Sequence, residues 1–109
     1  MTVMHAQLAE GRWQQLTLAE QMGNIGSEVS RAATAFGKNE ARLESALIRG
    51  LELFDLTLAD PRWKGRKSEI GRAREVFCDA VLGGKEYGTT FPGLQKYFDQ
   101  FALASRRAV

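Results

Sequence analysis

The residues able to do chemistry in this chain are few. There is one histidine, His5, and one cysteine, Cys78. A thiol or hydroxyl nucleophile needs a base held beside it, and His5 lies in a weakly patterned N-terminal stretch. Two such residues are too few for a structural zinc site. No Glu-x-x-His pair of the kind that holds di-iron in helical bundles occurs. Neither an HExxH, a Gly-x-Gly-x-x-Gly nor a P-loop is present. Gly83-Gly84 reads as a helix stop rather than a phosphate cradle, and Cys78 flanks an apolar helix face as a buried structural thiol. The expectation is no catalytic residue, no metal and no cofactor.

Arg74 is the polar residue with the clearest demand. Helical spacing puts it on the flank of Val81, near a core edge, where an unpaired charge is costly. Glu52, Asp55 or Glu28 are its candidate partners, and an interhelical ion pair is expected.

Charge is unevenly distributed. The net charge is only +2. Residues 39–60 carry Arg42 and Arg49 against Glu40, Glu44, Glu52, Asp55 and Asp60. Residues 61–75 carry Arg62, Lys64, Arg66, Lys67, Arg72 and Arg74 against Glu69 and Glu75. The basic stretch offers Arg62, Lys64, Arg66, Lys67 and Arg72 as phosphate contacts. The alternative is that an acidic helix neutralises a basic neighbour.

The elements that must position these residues are helical. Thr17-Leu18-Ala19-Glu20 has the form of a capping box. Behind it Leu18, Met22, Ile25, Val29, Ala32, Ala33 and Phe36 form one stripe, closed by Gly37. Asn39 is an N-cap for a second helix with the stripe Leu43, Leu47, Leu51, Phe54, Leu58, and Asp60-Pro61 ends it. A third helix carries Ile70, Ala73, Phe77, Ala80 and Val81. Thr90 and Pro92 open a fourth, with Leu94, Tyr97, Phe98 and Phe101 on its face. No segment alternates with period two. The reading is all-α: an antiparallel up-and-down four-helix bundle with helices at about 17–36, 39–60, 66–82 and 91–106. It is one domain of 109 residues, with 1–16 a weakly structured lead-in.

Some residues exceed what one core face uses. Leu53 and Leu56 fall away from the second helix's stripe and suggest a second contact surface. Gly23, Ser27, Ser30 and Thr34 line one side of the first helix, where another helix can approach closely. These are the candidate oligomer interfaces. Trp13 and Trp63, near helix starts, are expected to cover an end of the core. The first ten residues lack a basic-then-apolar leader and no run suits a membrane span, so a cytoplasmic protein is expected.

Four blocks carry a resemblance: LTLAEQMGNIGSEV from Leu16, LELFDLT from Leu51 with Asp60-Pro61-Arg62, REVFCD from Arg74, and LQKYF from Leu94. Together they resemble a family of conserved hypothetical cytosolic bacterial proteins of four-helix-bundle fold. That family is similar to the intervening-sequence proteins encoded within large-subunit ribosomal RNA genes and to the accessory variability determinant of diversity-generating retroelements. The resemblance runs from Trp13 to Arg106. It implies a homopentamer of bundles and, through the retroelement relatives, a partner that is nucleic acid or a nucleic-acid-processing protein. It carries no catalytic signature. The function expected is a non-enzymatic, self-associating scaffold or adaptor, with nucleic-acid binding around residues 62–74 as the alternative.

Overall fold

A computed structural model describes the backbone of residues 11–107, with the side chains of 102 and 104–107 left aside. Four α-helices follow one another: α1 (Leu18–Ala35), α2 (Glu40–Leu58), α3 (Lys67–Val81) and α4 (Phe91–Arg107). Short 3-10 turns at Trp13–Gln15 and Pro61–Arg66 precede α1 and α3. There is no strand among the described residues. The four-helix fold expected from the sequence is present.

Local hydrogen bonds set the helix ends. Thr17 Oγ1 accepts from the Glu20 amide at 3.1 Å, and the Thr17 amide donates to Glu20 Oε1 at 2.9 Å. The backbone bond from Thr17 is the main reason the Glu20 carboxyl titrates below its usual range. Asn39 Oδ1 caps α2 through the Arg42 amide. Asp60 Oδ1 accepts from the Arg62 amide, so the residue that stops α2 also opens the turn leading to α3.

α1 packs against both α2 and α4, and α2 packs against α3, whereas α3 and α4 barely meet. Phe54, Phe77 and Phe98, from α2, α3 and α4, form the middle of the core. Phe54 lies 6.1 Å from each of the other two ring centroids. At the far end Phe36 meets Phe91 at 5.3 Å.

The orientation of α2 corrects the sequence reading. Its buried residues are Ala46, Gly50, Leu53, Phe54 and Thr57, while Leu43, Leu47, Leu51 and Leu58 are half-buried at the flank. The small residues are the reason. A Cβ on Gly50 would stand 2.7 Å from Phe77 Cε2 and 3.6 Å from Glu28 Cβ, so glycine there lets α1 and α3 close on α2. That rotation carries Leu53 into the core at 3% exposure, and Leu56 packs half-buried against it. Leu53 is therefore not a free contact surface, while Leu56 keeps part of its side chain at the surface.

Close approach on α1 uses Gly26, whose Cβ would sit 3.0 Å from Phe98 Cβ. The expected small-residue side lies next to it. Gly23 is half-buried, and Ser27, Ser30 and Thr34 are exposed. The Ser27 and Thr34 hydroxyls donate back to the carbonyls of Gly23 and Ser30. Gln95 of α4 reaches Ser30 Oγ at 3.3 Å, so this edge borders an intramolecular neighbour.

The lead-in reading is also corrected where it can be compared. Residues 1–10, including His5, lie outside the described residues, but Trp13 is only 1% exposed and is the largest fully buried side chain.

Candidate functional site

Trp13 belongs to a polar network at the end of the bundle where α1 starts and α2 stops. Its Nε1 donates to Thr57 Oγ1 at 3.0 Å, and the Thr57 hydroxyl donates on to the Leu53 carbonyl. Gln21, fully buried, donates from Nε2 to the Trp13 carbonyl at 2.9 Å and to Asp60 Oδ2 at 3.1 Å. Its Oε1 accepts from Trp63 Nε1 at 2.8 Å. Arg62 grips Asp60 Oδ2 through Nη2 at 2.7 Å, donates to the Leu16 carbonyl, and lies 4.5 Å from the Trp63 ring centroid.

Hydrogen bonding from Arg62 outweighs burial and brings the Asp60 carboxyl down to about 2. The same contact raises the Arg62 guanidinium. Asp60 is therefore an anion locked by its donors, which suits it to joining two helix ends rather than to moving protons. Covering the end of the core is the role expected of Trp13 and Trp63. The partners Gln21 and Thr57 were missed. Their signal was a polar residue at a core-facing position: Gln21 follows Leu18 by three, and Thr57 follows Phe54 by three.

Arg74 has its interhelical partner: Nε donates to Asp55 Oδ1 at 3.0 Å. Glu28, by contrast, pairs with Arg31 on its own helix. Cys78 is half-buried rather than fully buried, and burial pushes its thiol up, away from a nucleophilic thiolate. Among the described residues no three His, Cys, Asp or Glu side chains gather as a metal requires, and no helix is long and apolar enough to cross a membrane.

The five basic candidates do not form one free patch. Arg62 is held by Asp60, Arg66 Nη2 bonds Glu69 Oε2 at 2.9 Å, and Arg72 lies 4.9 Å from the Tyr87 ring centroid. Only Lys64 and Lys67 have no partner among the described residues, and both are exposed.

Asp79 organises the loop between α3 and α4. Its two oxygens accept from the amides of Glu86 and Tyr87 at 2.8 and 3.1 Å. Gly84, at φ +76, brings the loop so tight that a Cβ would sit 2.7 Å from the Thr89 carbonyl oxygen.

What this loop leaves behind is an open seam. Between α3 and α4 lies a groove of about 330 Å³ lined by Ala73, Val76, Leu94 and Tyr97, with Glu69 and Arg72 at its edge. Tyr97 donates to Glu69 Oε1 at 3.2 Å, and burial, then Glu69, pushes its hydroxyl up to about 12. Tyr87, on the loop, donates to Glu75 Oε2 at 3.0 Å, a bond that raises the Tyr87 hydroxyl. An apolar slot with Tyr97 in its wall and both signs of charge at its edge is suited to a protein surface. Comparison with family models, curated proteins and solved structures finds no match to this chain.

Proposed function

We propose that this protein is a non-enzymatic helical bundle of the cytoplasm that assembles with copies of itself, serving as a scaffold or adaptor. The observation that carries this reading is the α3–α4 seam. A four-helix bundle ordinarily closes all four of its helix contacts, and here one stays open with apolar lining. Glu69 and Arg72, one turn apart on its edge, are already held by Arg66 and Tyr87 within the chain, which leaves apolar contact at Val76 and Tyr97 as what a neighbour would cover. A second copy of this chain is the proposed occupant. Five copies are proposed because the sequence blocks resemble those of pentamer-forming bundles.

Light scattering after size exclusion tests this. Five copies of the 12.1 kDa chain give about 60 kDa. A mass of one chain at every concentration overturns the reading, and an assembly of another size overturns the copy number alone. Nucleic-acid binding through residues 62–74 is less well supported, because three of its five cations are already engaged within the chain.

A further inference from the structure

A second groove, of about 750 Å³, runs between the C-terminal half of α1 and the N-terminal half of α2. Arg31 and Lys38 line it from the α1 side, Arg42 and Arg49 from α2, with Glu28 and Ser45 between them. Glu28 is 5% exposed at its side chain and pairs with Arg31. Lys38, Arg42 and Arg49 have no carboxylate partner among the described residues. With Glu28 taken up by Arg31, the groove lining is left with three cations and no further carboxylate. Like charges held together this way repel, and a bound anion removes the cost.

The layout narrows the anion. Arg42 and Arg49 are seven residues apart on one helix, about 10 Å at 1.5 Å per residue. That is the reach of two or three linked phosphates, more than a single carboxylate spans. Asn39 marks the start of α2 at the Lys38 end, where the helix dipole adds positive potential. Ala35 and Ala46 supply apolar wall for an organic group. The volume falls in the range of small-molecule sites, about 300–1,000 Å³. We infer that the α1–α2 groove binds a small organic ligand carrying two or three linked phosphates, with Lys38, Arg42 and Arg49 along the phosphate chain.

This site is separate from the α3–α4 seam and does not depend on self-assembly. Titration calorimetry with ATP, tripolyphosphate, adenosine and a 12-nucleotide RNA, without divalent cations, tests it. ATP and tripolyphosphate are expected to bind and adenosine is not. Lys38→Gln with Arg42→Gln should weaken ATP by about tenfold or more, and so should Arg49→Gln. Arg49→Lys should retain most of the affinity, and Lys64→Gln with Lys67→Gln should change nothing. Absence of binding by both ATP and tripolyphosphate overturns the inference. Equal affinity in the groove variants overturns it as well. RNA binding without ATP or tripolyphosphate binding overturns the small-molecule assignment. All five positions are outside the buried core, and a thermal melt of each variant verifies folding.

Discussion

Gly50 of α2 faces the edge of the Phe77 ring of α3 so closely that a methyl group on Gly50 would stand 2.7 Å from Phe77 Cε2. Phe77 is fully buried, so a methyl group there would press its ring into the core. This one approach fixes which side of α2 faces inward, and with it the fate of Leu53 and the flanking leucines.

Gly50→Ala should therefore destabilise the fold by about 1–3 kcal/mol through overpacking, even though alanine is the better helix former. Gly71→Ala, in α3 with nothing within 4 Å of its Cβ position, should instead stabilise by about 0.5–1 kcal/mol. Denaturant midpoints of the two variants check the contrast; equal effects would mean that the Gly50–Phe77 approach relaxes freely.

Leu53→Ala should cost about 2–5 kcal/mol, as removal of a fully packed leucine does. Leu82→Ala, at a site 76% exposed, should fall within about 0.5 kcal/mol of the parent. Chemical unfolding reads both. A silent Leu53→Ala would return that residue to the surface.

Asp60 couples folding to acid. Its folded-state carboxyl, near 2, lies below the ordinary 3.8. The stabilisation is therefore fully present above about pH 4 and fades as pH falls toward 2, where the folded form also takes up the proton. Asp60→Asn should lose about 1–3 kcal/mol at neutral pH, since it removes the charge that Arg62 grips and disturbs the buried join to Gln21. It should also flatten the stability profile between about pH 4 and pH 2. Thermal melts across that window decide it; an unchanged slope removes Asp60 as the group responsible.

Self-assembly through the α3–α4 seam should be broken by Val76→Glu combined with Arg72→Glu, which place two anions beside Glu69. The expected product is a folded single chain with unchanged helical circular dichroism. An assembly of undiminished mass would move the interface away from this seam.

Asp79→Ala should remove both acceptors of the Glu86 and Tyr87 amides and cost about 1–3 kcal/mol. Amide hydrogen exchange should rise first over residues 84–88. Protection that stays at the parent level would show the loop to be held by other contacts.

The number, order and ends of the helices were legible in the sequence because the interactions that set them are local. Thr17 and Glu20 cap each other across three residues, Asn39 caps Arg42 across the same interval, and Asp60-Pro61 stops α2 by sterics within one peptide unit. The demand of Arg74 for an acidic partner was legible too, as a charge beside an apolar face. The rotation of α2 was not, because Ala46, Gly50 and Thr57 contribute little to an apolar stripe yet decide how near α1 and α3 come. Trp13 looked loose because its partner Thr57 is 44 residues away, as Gln21 is 39 from Asp60. Nor could charge totals show that Arg42 and Arg49, in a segment that sums acidic, share a groove with Arg31 and Lys38. Local hydrogen bonding and hydrophobic periodicity wrote the four helices into the sequence; which of their residues meet was settled only by packing between segments far apart in the chain.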